Sequence, residues 1–443
     1  MTATLLDDEP PASLGVEELT RAVERAMALG ASAARGSYSR GWQRSVDFEA
    51  GRLKNAGNAA TFTYWVNVVK DGRRAEVAGN RPERLLDAVE RVIELAQTGS
   101  TAHFESYPPA TPAPSVRVHS ARTRSVSRQQ LIGDCQSMLS ALKEPELWLS
   151  AWGGVGESEE ALVTSAGLQH RLERTYWYLS GHAQRINEGD VVMHWRGRSH
   201  CEIDDYYDPS AIAGRLRQHL AWSREIVDAP SGELPLLLEP EALQALLWAL
   251  VMGVDGRNVA KGDSPLKHRL GEQVLSSALT VYDDPHEPFA PSSQPRDWDG
   301  LPSARQTLVE DGVLLRFLYD LDSAGLVGVA PTGNAAFAPY KLKVLPGSAP
   351  SSELIRGIRD GLYVTGHLIG FGQGNLINGD FSVNLGLAYR IRGGEIQGRV
   401  KNVMLTGNVY ELLSQSVVLS SDTGDDGAYP FALVPGATVR KRT

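Results

Sequence analysis

The chain has 443 residues, 42% of them hydrophobic and 22% charged, with a formal net charge of -9. Length allows two or three domains with their own cores, and the acidic balance excludes a broad nucleic-acid footprint. Two cysteines, Cys135 and Cys201, exclude a disulfide framework and a four-cysteine zinc site.

The N-terminus MTATLLDDEPP is acidic where a secretory signal would be basic and then apolar, so a cytoplasmic protein is expected. The longest apolar stretch, Ala242–Val254, is too short to span a bilayer. A first helix is predicted over Val16–Leu29, with Leu19, Val23, Ala26 and Met27 on one face. Strands follow at Ser45–Glu49 and Thr61–Lys70, the second closed by the hairpin signal Asp71-Gly72. Leu85, Val89, Val92, Ile93 and Ala96 give a second helix helical spacing over Pro82–Gln97. Tyr107–Ser115 holds four prolines in nine residues and reads as an extended connector. A third helix at Ser127–Lys143 precedes strands around Leu147–Trp152, Leu162–Ser165, Thr175–Gly181 and Asp190–Arg198, then a helix at Pro209–Val227.

Composition changes near Ser231-Gly232. Leu234–Leu238 reads as a short strand, and Pro240 suits the first position of a helix running to Gly253. Leu243, Leu246, Leu247, Leu250 and Val251 are its buried face. Beyond it Gly, Pro and Asn are dense, and helical periodicity is confined to Ser352–Tyr363. Glycines in Gly366–Asn408 read as turns and bulges between strands, since no Gly-x-Gly-x-x-Gly opens a helix there. The expected fold class is α+β in two domains. Residues 1–230 form a sheet with helices on one face, and 231–443 are β-dominated.

Hydrolytic signatures are sparse. No Gly-x-Ser-x-Gly elbow is present. His286-Glu287 lies between Pro285 and Pro288 with no second histidine, which suits a turn and not a zinc-binding helix. His194, His200, Cys201, Asp204 and Asp205 are the densest set of ligand types. On a strand, however, His194 and His200 stand roughly 20 Å apart, so a polar turn is preferred to a metal site. Asp283-Asp284 and Asp425-Asp426 are read as turn formers among Pro and Gly.

From about residue 235 the text resembles the TldD/PmbA (TldD/TldE) metalloprotease family. The matching segments are Asn258–Ser264, Leu279–Asp284, Asp299–Gly333, the Gly379–Ser382 Gly-Asp-Phe-Ser element, Gly394–Ile396 and Gly407-Asn408. A fainter likeness extends to Glu49-x-Gly51-x-Leu53. The resemblance implies a peptidase of two related subunit types. One, TldD, carries His-Glu-x-x-x-His and a cysteine as zinc ligands, and the other, TldE or PmbA, lacks them. In the matching helix Trp248, Ala249 and Gly253 stand at the ligand and base positions, and Thr423 stands at the cysteine's. None can bind zinc.

The resemblance therefore implies a TldE/PmbA-type subunit with no cofactor of its own. Its partners would be a TldD-like zinc-bearing subunit and an unfolded or leader peptide, with neither nucleic acid nor membrane. His367, Asp380, Ser382 and Asn408 are the residues singled out for peptide contact, and no catalytic or metal residue is assigned. Against this stand a stand-alone homodimeric binding or assembly module and a partner role in amide hydrolysis of a small-molecule pathway.

Overall fold

The computed structural model describes residues 14–187, 190–203, 207–334 and 339–441. Asp204 and Asp205 lie outside the described residues. The N-terminal part contributes strands β1 (Ala33–Glu49), β2 (Arg52–Lys70), β3 (Arg73–Gly79), β4 (Ser100–Thr101), β5 (Leu147–Thr164), β6 (Gln169–Asn187) and β7 (Asp190–His200). They form one antiparallel sheet in the order β4-β3-β2-β1-β5-β6-β7. The helices of this part are α1 (Val16–Ala28), α2 (Leu85–Ala96), the short α3 (Ala121–Arg124), α4 (Arg128–Leu142) and α5 (Pro209–Trp222).

Side chains two apart along a strand share a face. Tyr38, Val46 and Phe48 of β1 therefore point the same way. Tyr38 packs in the core under α1 and α2, and Val46 and Phe48 pack in the core under α4 and α5. The sheet thus carries its helices on one face. On α1 the buried stripe is Leu19, Ala22, Val23 and Ala26, and Met27 is exposed, one position off the expected face. The β2–β3 turn needs positive φ at both central residues, and Asp71 and Gly72 adopt it.

The two long hairpins exceed the predicted strands. Leu147–Trp152 and Leu162–Ser165 are parts of the single strand β5. Gly154 and Gly156 interrupt its apolar pattern because the rings of Tyr178 and Tyr176 lie over them, where a Cβ would collide. The helix expected to reach Val227 ends at Trp222.

The C-terminal part contributes β8 (Gly232–Leu238), α6 (Pro240–Val254), α7 (Gly256–Lys261), β9 (Val281–Asp283), β10 (Gln306–Glu310), β11 (Val313–Leu314), α8 (Leu321–Val327), β12 (Leu342–Val344) and α9 (Ser351–Gly357). There follow β13 (Asp360–Val364), β14 (Leu368–Ile369), β15 (Asp380–Leu385), β16 (Ala388–Arg392), β17 (Glu395–Val400), β18 (Val403–Asn408), α10 (Val409–Ser414), β19 (Val418–Thr423) and β20 (Pro430–Lys441). Among the described residues these strands make a four-stranded sheet, β11-β10-β9-β12, and a larger mixed sheet in which β8 and β13 run parallel. The predicted helix at Ser352–Tyr363 is half right: it ends at Gly357, and Asp360–Val364 is a strand. The expected α+β class holds, with strands dominating the second part.

Gly366–Asn408 is the run of short strands its glycines announced. Gly393 and Gly394, both at positive φ, turn β16 into β17, and a bulge at Arg390/Ile391 shifts their register. Leu243, Leu246, Leu247 and Leu250 of α6 are at most 1% exposed and fill the C-terminal core against one face of the larger sheet, with Leu236, Leu238, Leu362 and Val364.

Candidate functional site

A cleft of about 790 Å³ opens where the end of β7 meets α6, within the usual range of ligand sites. Glu241, Gln244, Trp248 and Val251 of α6 line it, spaced so that they form one helical stripe. The opposite stripe of leucines is locked in the core, so the orientation of Trp248 toward the cleft follows from the packing of α6. Gly197, Arg198, Ser199 and His200 of β7 face it, with Glu287–Phe289, Pro339–Leu342 and Gly424–Asp426 closing the sides.

The loop at Phe289 ties the two parts of the chain together. Its N–H donates to the Arg117 carbonyl at 2.6 Å, and its carbonyl accepts from the Cys201 N–H at 2.9 Å. Holding both bonds puts Phe289 at φ +59°, a conformation that costs a non-glycine residue free energy. Arg174 adds donations to the carbonyls of Pro291 and Ser293 at 2.7 and 2.9 Å.

Charges on the walls are paired across the cleft. Arg198 donates to Asp425 at 2.8 Å. Glu287 accepts from Lys341 and Lys343, each at 3.0 Å. Burial pushes the Glu287 carboxyl up, but the two ammonium groups hold it below the usual carboxylate range. Glu241 pairs with Arg196, yet burial leaves its carboxyl above that range. Trp248, at 43% exposure, stands with Phe289, Tyr340, Pro288 and Pro291 in the lining, so the cleft offers a guest aromatic and proline surface beside its polar groups.

Behind it lies a buried polar network joining the two sheets. Arg196, on the helix-bearing face of β7, donates to Glu239 at 2.8 Å, and Tyr363 donates to the same carboxylate at 2.8 Å. His219 of α5 places Nε2 3.1 Å from Glu239. Burial alone would raise the Glu239 carboxyl, but His219, Arg196 and Tyr363 drive it well down. His194 Nδ1 meets His367 Nε2 at 3.0 Å. Burial depresses both imidazoles, His367 to about 4, so the pair is neutral at pH 7.

Of the residues expected to contact peptide, none lines the cleft. His367 is half-buried against His194 and stacks on Trp195 with ring centroids 3.9 Å apart. Asp380 and Ser382 are exposed on β15. Asn408 caps α10, accepting from the N–H groups of Tyr410 and Glu411 at 2.9 and 3.4 Å and donating to Asp380 at 2.9 Å.

One sequence reading needs correction. Asp283 is not a turn residue: it ends β9 fully buried, bonded to Asn334 at 2.6 Å, with burial pushing its carboxyl up to about 6. Asp425 does lie in a turn, and from it reaches the cleft and Arg198. His194 and His200 share a face of β7 but not a site, one lying in the buried network and the other in the cleft. Among the described residues the grouping with metal-ligand spacing is His119, Glu157 and Glu173. Arg124 and Arg171 already neutralise its carboxylates near the surface.

Residues 231–441 match the PmbA/TldA metallopeptidase C-terminal domain, and residues 37–96 match domain 1 of the same family. The chain belongs to the PmbA/TldD metallopeptidase family. A metalloprotease of Methanothermobacter thermautotrophicus is 27% identical over 398 residues, covering 85% of this chain and 86% of that protein. The metalloprotease PmbA of Escherichia coli O157:H7 is 27% identical over 188 residues, 42% of this chain and 41% of its own. TldE from Thermococcus kodakarensis superposes with a TM-score of 0.85 at 21% identity, covering 95% of this chain and 99% of that one. A putative modulator of a DNA gyrase from Thermotoga maritima gives 0.85 at 24% identity, over 96% and 99%. These last two likenesses show the fold.

In this PmbA/TldD chain the residues present do not fit a zinc ion at the positions the family resemblance indicates. Of the three positions on α6, only Trp248 faces the cleft. Ala249 is fully buried, and a Cβ on Gly253 would overlap the Tyr410 hydroxyl. Thr423 ends β19 beside the cleft wall. Indole, methyl, hydrogen and hydroxyl are not zinc donors.

Proposed function

We propose that this chain is a non-catalytic, TldE/PmbA-type subunit that pairs with a zinc-bearing TldD-type chain and helps hold an extended peptide in the cleft between its two sheets. The observation that carries the reading is Trp248. The residue at the first ligand position presents an indole to the cleft, and Tyr410 occupies the space a side chain at position 253 would need.

The cleft favours an extended guest. One wall is β7, the last strand of its sheet, whose backbone can hydrogen-bond to an added strand whatever its side chains. Folded substrates are too wide for such a slot. The zinc chemistry belongs to the partner, and this chain supplies the wall.

The test is purification of the full chain alone and together with a co-expressed metal-bearing family member. Expected results are no stoichiometric zinc and no peptide cleavage by the lone chain, with cleavage in the mixture. Cleavage by the lone, metal-stripped chain would sink the reading. Trp248→Ala should weaken binding of an unstructured peptide, read by intrinsic fluorescence.

A further inference from the structure

The cleft is acidic where a guest touches it. The carboxylates of Glu241, Glu287, Asp425 and Asp426 line it, against the cations of Arg198 and Lys341. At two of these acids the counter-charge stands further back. The Glu241 side chain is 40% exposed and that of its partner Arg196 is 9%. Glu287 is 27% exposed, against 14% and 17% for Lys341 and Lys343. Asp425 is met by Arg198 at 2.8 Å and by Arg215 at 4.0 Å. Asp426, exposed on the same turn, has no ion-pair partner among the described residues. Its Oδ1 accepts from the Ala428 N–H at 3.0 Å, and Lys341 donates to its carbonyl, not its carboxylate, at 3.3 Å.

An aromatic face lies beside these acids. Phe289 already carries the Arg117 guanidinium over its ring at 5.2 Å. Trp248 has no cation over its indole among the described residues. Gln244, one turn before Trp248 on α6, bonds to Tyr429, whose hydroxyl also feels the charge of Asp426. Burial, together with Glu239 and Asp425, pushes the Glu241 carboxyl up against the pull of Arg196. A further positive charge at this end would relieve that crowding of carboxylates.

We propose that the cleft selects unfolded peptides carrying a lysine or arginine, the alkyl stem lying on Trp248 and the cation reaching Asp426 and Glu241. The proposal rests on the peptide-holding reading above and names the kind of segment held. Long basic side chains bury their stems on apolar surface and keep the charge outward. An indole is the best ring for a cation. A glutamate at the same place in the guest would meet like charge. With a net charge of -9, the field of the chain favours approach of a basic segment.

The test is isothermal titration calorimetry of the full chain with three unstructured peptides of about ten residues. They differ at one central position, which holds lysine, glutamine or glutamate. At about 50 mM salt the lysine peptide should bind about tenfold more tightly than the glutamate peptide, with glutamine between. Near 0.5 M salt the ratio should fall to about twofold or less. Asp426→Asn keeps the acceptor for the Ala428 N–H and should cut the low-salt ratio about threefold. Glu241→Gln should cut it as well, and Glu395→Gln, on β17 outside the cleft lining, should not. Equal binding of the three peptides, or a ratio untouched by both cleft substitutions, overturns the proposal and leaves the peptide-holding reading standing. Binding of none of them overturns both. If the substituted chains fail to fold, the peptide series and its salt dependence on the wild type decide.

Discussion

The Tyr410 hydroxyl donates to the carbonyl of Ala249 at 2.8 Å and fills the space beside Gly253. One side chain from α10 thereby fixes what α6 can carry on the turn where the family resemblance places a metal ligand. The glycine is a packing requirement of the tyrosine.

Gly253→Ala should consequently destabilise the chain by about 1–3 kcal/mol, the usual cost of overpacking. Tyr410→Phe removes the nearer of the two atoms in the way, leaving Leu266 Cδ1 at 2.9 Å, so the penalty should shrink in the double variant. A double-mutant cycle from urea unfolding measures the coupling. Equal penalties in both backgrounds would show that Tyr410 does not restrict position 253.

Arg196→Met should cost about 3–5 kcal/mol, because it strips a permanent counter-charge from a buried carboxylate. Glu239 is 1% exposed and keeps only Tyr363 and His219. Adding Glu239→Gln should recover part of the loss, as denaturant midpoints would show.

The His194–His367 contact predicts acid sensitivity. The His367 imidazole falls from 6.5 to about 4 in the folded chain through burial and then Arg196. Its neutral form thus stabilises fully above pH 6.5, and that stability is lost as pH falls from 6.5 toward 4. The slope is at most about 1.4 kcal/mol per pH unit. The stability difference between wild type and His367→Gln should move against the wild type across that window. A constant difference would show that the ring does not titrate there.

Asp297 moves the opposite way. It is 4% exposed, and its Oδ1 accepts from the N–H groups of Asp299 and Leu301 at 2.9 and 2.8 Å. Burial, with Asp299 nearby, pushes its carboxyl up to about 8. The folded chain keeps a proton that the unfolded chain releases near 3.8, so stability falls as pH rises from about 4 to about 8. Asp297→Asn keeps the acceptor and removes the titration. Its melting temperature should gain on the wild type through that range and level off above it.

Helix α6 was legible in the sequence because Pro240 opens it and its leucines repeat at helical spacing. So was the strand-and-turn character of Gly366–Asn408, since consecutive glycines can only serve as turns in such text. The full length of β5 was not legible, because Gly154 and Gly156 look like breaks until the rings of Tyr178 and Tyr176 are laid over them. Nor was α10, a six-residue helix whose signal is one capping Asn408.

The sequence by itself determined the family, the α+β composition and the absence of zinc donors at Trp248, Ala249, Gly253 and Thr423, since these depend on residue identity and local pattern. Only the tertiary structure decided that Arg198 meets Asp425, that His194 meets His367, and that Trp248 and Asp426 line one cleft. Those relations join residues up to 227 positions apart. They depend on strand register and on how the two sheets dock, and no local pattern encodes either.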